Sequence, residues 1–423
     1  MPSFTSLPGF RDFYPPELLV RSHITNVWRE VARRYGFEEY DGPPLEPLEL
    51  YVEKSGEEIV RQLYNFEDKG GRAVALRPEM TPTFARMVGA RAGGMRKPIR
   101  WFSIPQLFRY ERTQRGRLRE HFQWNVDIVG ADDISADAEI LAVAIDGLRG
   151  LGLTAADIVA RVNDRRLLER LLLHAGVTAE RLSAAYAVID KLGREPETTT
   201  RGRLAEQAGL AADGVESVLA IFTHANFEAL ARAYGSEQLE PELRRVREYL
   251  AQLDHMGLSE FVRFDPGIVR GLAYYTGLVF EIFDRQGELR AVCGGGRYDN
   301  LLKTVSNTDL PALGFGMGDV VLAELLSDRN LLPAYAPSVD YYVIAVTGEE
   351  RRVQMQVARR LRDAGRSVAY SFASGGVGRQ FKDADARGAR YVVVLGPTEV
   401  ADGIAVVREM ASGYEERIKL DEL

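Results

Sequence analysis

The chain has 423 residues, 46% hydrophobic and 27% charged, with a formal net charge of −7, a soluble-globular composition for which two or three domains are expected. No apolar run approaches the roughly 18 residues needed to span a bilayer, no basic and apolar leader opens the chain, and the final LDEL (420–423) reads as an ordinary element end rather than a retention signal, so the expected address is the cytoplasm. A single cysteine, Cys293, excludes an internal disulfide framework, and five scattered histidines give no zinc spacing, so no resident metal is expected.

The segment 16–36 sets Val20, Ile24, Val27, Val31 and Tyr35 at steps of three and four, follows a Pro-Pro pair and stops at Gly36, which predicts an amphipathic helix. Strand-like runs rich in β-branched and aromatic residues follow, GGRAVALRPEM (70–80) and PIRWFSIPQLFRYE (98–111). The first leads into Glu79 and Thr81, a carboxylate and a hydroxyl suited to an ammonium group. From about 135 to 260 the pattern turns Leu- and Ala-rich and helical, as in RRLLERLLLHAG (165–176). Strand signals return at YYTGLVFEIFD (274–284), followed by CGGGRYDN (293–300) and the apolar LGFGMGDVVLAELL (313–326). Beyond the prolines of NLLPAYAPSVD, about 85 residues alternate strand and helix and predict a separate small α/β domain.

The chemistry concentrates in RYERTQRGRLREH (109–121), which packs five arginines into the eleven residues from Arg109 to Arg119. FRYE runs into a glycine-containing connection and returns as HFQWNVDIV (121–129), which reads as a long β-hairpin. A period of two puts Phe122, Trp124, Val126 and Ile128 on one face of the return strand, and His121, Gln123, Asn125 and Asp127 on the other. The second face is a polar floor, suited to a small zwitterionic or nitrogenous ligand beside something polyanionic. An exposed hairpin with solvated charges is the alternative on these residues alone. VRGLAYYTG (269–277) adds Arg270 with Tyr274 and Tyr275, which would point to opposite faces if they sit on a strand. The glycines of CGGGRYDN, just before Tyr298, mark either a close backbone approach or a tight turn. GFGMGD has the wrong spacing for a dinucleotide fingerprint.

Together these segments resemble the class II aminoacyl-tRNA synthetases, and within them the histidyl-tRNA synthetase family, over nearly the whole chain and in order. GFRDFYPPE with its long helix and GFEEYDGPP (36–44) is similar to motif 1, with Pro43 at the proline that abuts the dimer interface. FRYERTQRGRLREHFQWNVD is similar to motif 2, VRGLAYYTG and AVCGGGRYDN to the two histidine-specific signatures, and LGFGMGDVVLAELL to motif 3. The resemblance implies an α+β fold: a class II antiparallel sheet flanked by helices (1–330) with a mostly helical insertion at about 160–245, a linker at 331–340, and an anticodon-binding α/β domain at 341–423. It implies a homodimer that activates histidine with ATP, releasing pyrophosphate, and passes the histidyl group to the 3′ end of tRNA(His), with Mg²⁺ accompanying the nucleotide.

Carried onto this chain, the family's roles put Arg109 and Arg270 on the reacting carboxylate and α-phosphate from opposite sides, and Arg117 on the distal phosphates. Gln123 is shared between histidine and ATP. Glu79, Thr81 and Gln123 would receive the α-ammonium group. Asp127 and Tyr275 would bond the two imidazole nitrogens, with Tyr274 and Tyr298 completing the pocket. Arg112 and Gln114 in the hairpin loop would meet the tRNA acceptor end, Arg115 and Arg119 would face tRNA phosphates or solvent, and Arg379, Gln380 and Lys382 are candidates for the anticodon. The chain departs from the pattern in three places: Val321 stands where motif 3 carries an adenine-stacking arginine, Ala273 where an Asp precedes the tyrosines, and Asp127 in place of a longer Glu. These departures support an alternative, a non-catalytic histidine-binding protein like the regulatory subunit of ATP phosphoribosyltransferase, although such regulators lack an anticodon-binding domain.

Overall fold

A computed structural model describes the chain apart from residues 1–3, 56, 271–274, 288 and 374 and the side chains of 53–59. It divides into two compact units, Met1–Pro333 and Ala334–Leu423. In the first, helix α1 (Pro15–Arg34) runs with Pro15 at its start and packs Ile24, Trp28, Val31 and Ala32 inward. Strand β1 (Glu38–Glu39) follows. A small sheet comes next, in the order β2 (Leu45–Pro47), β4 (Ala73–Leu76), β3 (Asn65–Glu67), with helix α2 (Glu49–Ser55) between β2 and β3 and helix α3 (Thr81–Arg91) after β4.

The large sheet is built from β1 and eight later strands: β5 (Ile99–Ser103), β6 (Gln106–Phe108), β7 (Glu120–Val129), β8 (Ile158–Asp164), β9 (Val262–Phe264), β10 (Leu278–Asp284), β11 (Cys293–Arg297) and β12 (Ala312–Gly318). Its order is β1-β5-β7-β12-β11-β10-β8-β9, with β6 pairing β7 at the hairpin. The central pairs are antiparallel and the two outermost, β1 with β5 and β8 with β9, are parallel.

The alternation of β7 sets the two faces of this sheet. Trp124, Val126 and Ile128, with Leu313, Phe315 and Met317 of β12 and Phe280 and Ile282 of β10, form an apolar underside. Against it lie α1 and helix α4 (Ile134–Arg149), capped by Asp133 accepting from the Ser135 amide. Trp28 of α1 stacks on Trp124 at 5.8 Å and Trp124 meets Phe315 edge-on at 5.1 Å. Both indoles are fully buried. The buried Arg297 of β11 binds Asp137 of α4 at 2.5 Å, pinning the underside to its helix.

Helical periodicity across 135–260 hid a strand: β8 belongs to the large sheet, and α4, which precedes the insertion expected at about 160–245, packs into the sheet's core. The insertion proper is α5 (Arg165–His174), α6 (Leu182–Ile189), α7 (Glu197–Gln207), α8 (Ala212–Ile221), α9 (Phe227–Tyr234) and α10 (Glu240–His255), with its own apolar core around Leu168, Leu172, Val218 and Leu243. CGGGR is strand β11, not a tight turn. Short helix α11 (Leu301–Ser306) and helix α12 (Asp319–Asp328) complete the unit.

The second unit has the sheet order β14 (Val368–Ala369), β13 (Val339–Ala345), β15 (Ala389–Leu395), β16 (Ile404–Glu409), β17 (Glu415–Lys419), the first three strands parallel. Helices α13 (Arg351–Asp363) and α14 (Val377–Ala386) connect them. The charged strand β17, EERIK, gives no apolar alternation and was not legible in the sequence.

Trp124→Ala should cost about 3–5 kcal/mol of stability, because it leaves a cavity between α1 and the sheet. Urea unfolding followed by tryptophan fluorescence measures it.

Candidate active site

The upper face of the large sheet is almost bare at its centre. Cross-strand partners place Asn125, Gly316, Gly294, Glu281 and Arg161 in one row, and Asp127, Gly314, Gly296, Val279 and Asn163 in the next. Each row thus has glycines on β11 and β12 flanked by functional side chains on β7 and β8 or β10. The empty space above them is occupied from the side. A β-carbon at Gly314 would lie 2.3 Å from Asp127 Oδ1 and 2.9 Å from Tyr298 Oη; at Gly316, 2.7 Å from Gln123 Nε2; and at Gly294, 1.3 Å from Arg270 Nη1. Three glycines make room for four of the residues anticipated from sequence.

A cleft of about 1000 Å³ opens on this floor. Arg109, Glu111, Arg117, Gln123, Arg270 and Glu281 are among the residues that line it. Among its described lining residues, six arginines face four carboxylates, a surplus of positive charge suited to a polyanion. Arg109 donates from Nε to the Pro78 carbonyl at 3.0 Å, beside Glu79, so its guanidinium plane is fixed by the turn that ends β4. Arg117 pairs with Glu111 across the hairpin. Arg270 approaches from the other side, 3.3 Å from Glu281 and with its guanidinium 5.7 Å from the centre of the Tyr275 ring.

Beneath, Tyr298 donates its hydroxyl to Asp127, and both residues are buried. Tyr275 meets Tyr298 edge to face at 6.4 Å. Burial pushes the Tyr275 phenol up, and the nearby Arg270 offsets this only in part, so it stays a neutral hydrogen-bonding group. Burial likewise raises the Glu281 carboxyl against the pull of Arg270. His121 is held down to about 3 by burial first and then by Arg109 and Arg11, so its imidazole is neutral. Cys293 is buried in the core with its thiol pushed up by burial, the opposite of what a nucleophile needs.

The structure thus brings Arg109, Arg117, Gln123 and Arg270 to one cleft, and joins Asp127, Tyr275 and Tyr298 to one another at the neighbouring row of the sheet. Thr81 opens α3 instead of ending a strand. Tyr275 precedes β10 and is not in a strand, which removes the opposite-faces argument; Tyr274 and Ala273 lie outside the described residues. Arg112 and Gln114 are exposed on the hairpin loop. Arg115 is not a free loop cation: it binds Glu324 of α12 at 3.0 Å, and Arg119 lies over the Tyr110 ring at 4.7 Å. Gln380 is buried, donating to the carbonyls of Ala345 and Gly375 at 2.9 Å each, which removes it as a base-reading residue; Arg379 and Lys382 are exposed.

Sequence reasoning missed the supports. Asn163 donates from Nδ2 to the carbonyls of Pro266 and Ile268, both at 3.0 Å, and Arg165 donates to those of Val269 at 3.2 Å and Arg270 at 3.0 Å. They hold Arg270 at φ 41°, a left-handed conformation that a non-glycine residue adopts only under constraint.

A profile described as histidyl-tRNA synthetase matches residues 9–319, and one described as anticodon binding domain matches residues 340–423. The chain belongs to the histidyl-tRNA synthetase family. Relatives in the family include the histidine–tRNA ligase of Opitutus terrae, 44% identical over 98% of this chain and 96% of that protein. Another is the chloroplastic/mitochondrial histidine–tRNA ligase of Arabidopsis thaliana, 40% identical over 98% and 85%. The fold is also that of the histidyl-tRNA synthetase from Nostoc, with a TM-score of 0.83 at 23% identity over 100% of this chain and 98% of that one. An ATP phosphoribosyltransferase regulatory subunit/histidyl-tRNA synthetase from Bacillus halodurans has a TM-score of 0.77 at 23% identity, over 93% of this chain and 98% of that one.

Gly294→Ala should leave the unfolding midpoint nearly unchanged, since the added methyl displaces only the end of a flexible side chain. Moving Arg270 should nevertheless cut tRNA aminoacylation by about 10²-fold. Thermal unfolding and charging assays of the same preparation separate the two effects.

Proposed function

We propose that this aminoacyl-tRNA ligase activates histidine in the cleft above the β7–β12–β11 floor and charges tRNA(His) there. The observation that carries the reading is the meeting of two independently held arginines, Arg109 and Arg270, in one cleft, with the buried Asp127–Tyr298 pair at the next row of the same sheet. Histidine would lie with its imidazole toward Asp127 and Tyr275 and its ammonium group toward Glu79, Thr81 and Gln123. Two polar partners on the ring reject a ligand lacking either nitrogen, because a wrong ring strands buried polar groups.

ATP enters as its magnesium complex, with Arg117 on the distal phosphates and Gln123 also facing the nucleotide. A carboxylate oxygen of histidine attacks the α-phosphorus, the bond to the β-phosphate oxygen breaks, and pyrophosphate leaves with that electron pair. Charge grows on the α-phosphoryl oxygens as this happens. Arg109 and Arg270 stabilise it from opposite sides, acting by fixed electrostatics rather than by covalent help. A terminal ribose hydroxyl of tRNA then attacks the carbonyl carbon, and AMP departs. Arg112 and Gln114, exposed on the loop beside the cleft, suit contact with the acceptor end. The second unit would bind the anticodon through unstacked bases. A non-catalytic histidine sensor has no use for that unit.

The chain would work as a homodimer in the cytoplasm. Tyr14 just before α1, Leu18 on α1, and Leu45 and Phe66 on the small sheet are exposed apolar side chains, which supports pairing through the motif 1 region.

Histidine-dependent exchange of pyrophosphate into ATP tests the reading directly. The purified protein should exchange with histidine and with no other amino acid. Arg270→Ala should lower the rate by about 10²–10³-fold while calorimetry still detects histidine binding. Normal exchange in that variant would remove Arg270 from the reaction.

A further inference from the structure

The tip of the long hairpin is held from outside the hairpin. Strand pairing of β6 with β7 ends at Phe108 opposite Glu120, and one more bond, from the Arg109 amide to the Arg119 carbonyl at 2.8 Å, extends it. Beyond that the two chains give their amides to neighbours: Tyr110 donates to the Gln62 carbonyl at 2.9 Å and Arg119 to the Gly9 carbonyl at 3.0 Å. The turn at the tip is an isolated bridge in which Gln114 and Arg117 exchange backbone bonds of 3.0 and 2.9 Å. Of its two central residues only Gly116, at φ 71°, is left-handed, as in a type II turn, whose twist splays hairpin strands instead of following them. Neither the ladder nor the turn type fixes where this tip sits.

One carboxylate does. Glu324 of α12 accepts from the Gly116 amide at 2.9 Å with one oxygen and from Arg115 Nε at 3.0 Å with the other. Asp328, one turn further along the same helix, lies 3.5 Å from Arg115 Nη2. The turn also rests directly on α12, since a β-carbon at Gly116 would lie 3.1 Å from Val321 Cγ2. An exposed ion pair alone holds weakly, but here the same carboxylate takes a backbone amide in a charge-assisted bond, so it fixes the chain and not only a side chain.

We propose that Glu324 is a positioning residue for tRNA: it seats the hairpin tip on α12, so that Arg112 and Gln114, both exposed beside the turn, meet the acceptor end already ordered. The inference rests on the acceptor-end reading above and adds to it a residue that touches neither the RNA nor the reacting groups. Among the described lining residues of the cleft, α12 supplies Val320 and Val321 and not Glu324. Arg117 is held separately, by Glu111 across the hairpin, so its place in the cleft does not depend on the latch. An ordered tip has fewer conformations to lose when RNA arrives, and the gain falls on tRNA affinity rather than on adenylation.

Amide hydrogen exchange of the full-length protein, free of ATP and tRNA, and steady-state charging of tRNA(His) test this together. In the parent the peptide covering 112–118 should exchange slowly, and Glu324→Ala should speed it about tenfold or more. Glu324→Gln, which keeps an acceptor for the Gly116 amide, should retain most of the protection and most of the activity. In charging assays Glu324→Ala should raise the KM for tRNA about tenfold, with kcat and histidine-dependent pyrophosphate exchange within about twofold of the parent. A parent peptide that exchanges freely, or an unchanged KM for tRNA in Glu324→Ala, would overturn the proposal. A lowered KM would overturn it too, because the carboxylate would then be withholding Arg115 from the RNA. Pyrophosphate exchange that falls in step with charging would make Glu324 a support of the cleft instead. Paired Arg112→Ala and Gln114→Ala changes that leave the KM for tRNA at the parent value would remove the acceptor-end reading, and this proposal with it, even where hydrogen exchange shows the tip latched.

Discussion

The site depends on a subtraction. Two adjacent central strands, β11 and β12, carry hydrogen in place of a side chain along the upper face from Gly294 and Gly296 to Gly314, Gly316 and Gly318, with Ala312 the exception at the end of β12. A sheet normally covers both faces to bury apolar surface, and glycine in a strand costs backbone entropy relative to alanine. The underside recovers that cost, because the same two strands put Phe315, Met317 and Cys293 into the core against α1 and α4. What the upper face gains is proximity: Gln123, Arg270 and the Asp127–Tyr298 pair occupy the volume the missing side chains would have filled. These side chains sit directly on backbone, with no flexible layer between.

A rigid floor does not position the residue that comes from a loop. Arg270 has a left-handed backbone, a state costing about 1 kcal/mol or more for a residue with a β-carbon. Asn163 and Arg165 hold the carbonyls just before it, and Arg165 holds its own. Both belong to the end of β8 and the start of α5, where the insertion leaves the sheet. The insertion is thereby tied to Arg270 through one buried asparagine and one buried arginine. A change in how the insertion sits on β8 would be felt first at Arg270.

The parts legible in the sequence were those whose signal is local. The hairpin, the alternation of His121, Gln123, Asn125 and Asp127, the helix at Pro15 and the glycine cluster at 293–297 each lie within about twenty residues of chain. Their chemistry could be read because residue type and spacing carry it. Strand β8 was absorbed into a helical tract because its IVARVND alternates poorly, both faces being covered. The partners Asn163 with Pro266, Arg115 with Glu324 and Arg297 with Asp137 lie 103, 209 and 160 residues apart, and nothing local announces a contact at that range. Gln380 was misjudged for a related reason. Its polar side chain reads as solvent-facing beside Arg379 and Lys382, and only the packing of α14 over β13 turns it inward onto two carbonyls.

The same long-range partners explain why so many arginines can share one cleft. Guanidinium groups a few ångströms apart repel and lose their geometry unless something holds them, and here carboxylates do: Glu111 on Arg117, Glu281 on Arg270 and Glu324 on Arg115. The first two pairs line the cleft itself, so a phosphate arriving there would exchange with a carboxylate instead of meeting bare cations. Such an exchange gives up part of the Coulombic attraction, because one ion pair is broken for each one made. What is kept is orientation, since an arginine already ordered by a neighbour loses little rotamer freedom when the phosphate replaces that neighbour. For a reaction whose transition state differs from its ground state mainly in where negative charge sits, ordered donors count for more than tight ground-state binding. On the proposed reading, the carboxylates of the cleft would belong to the catalytic design as much as the arginines they hold.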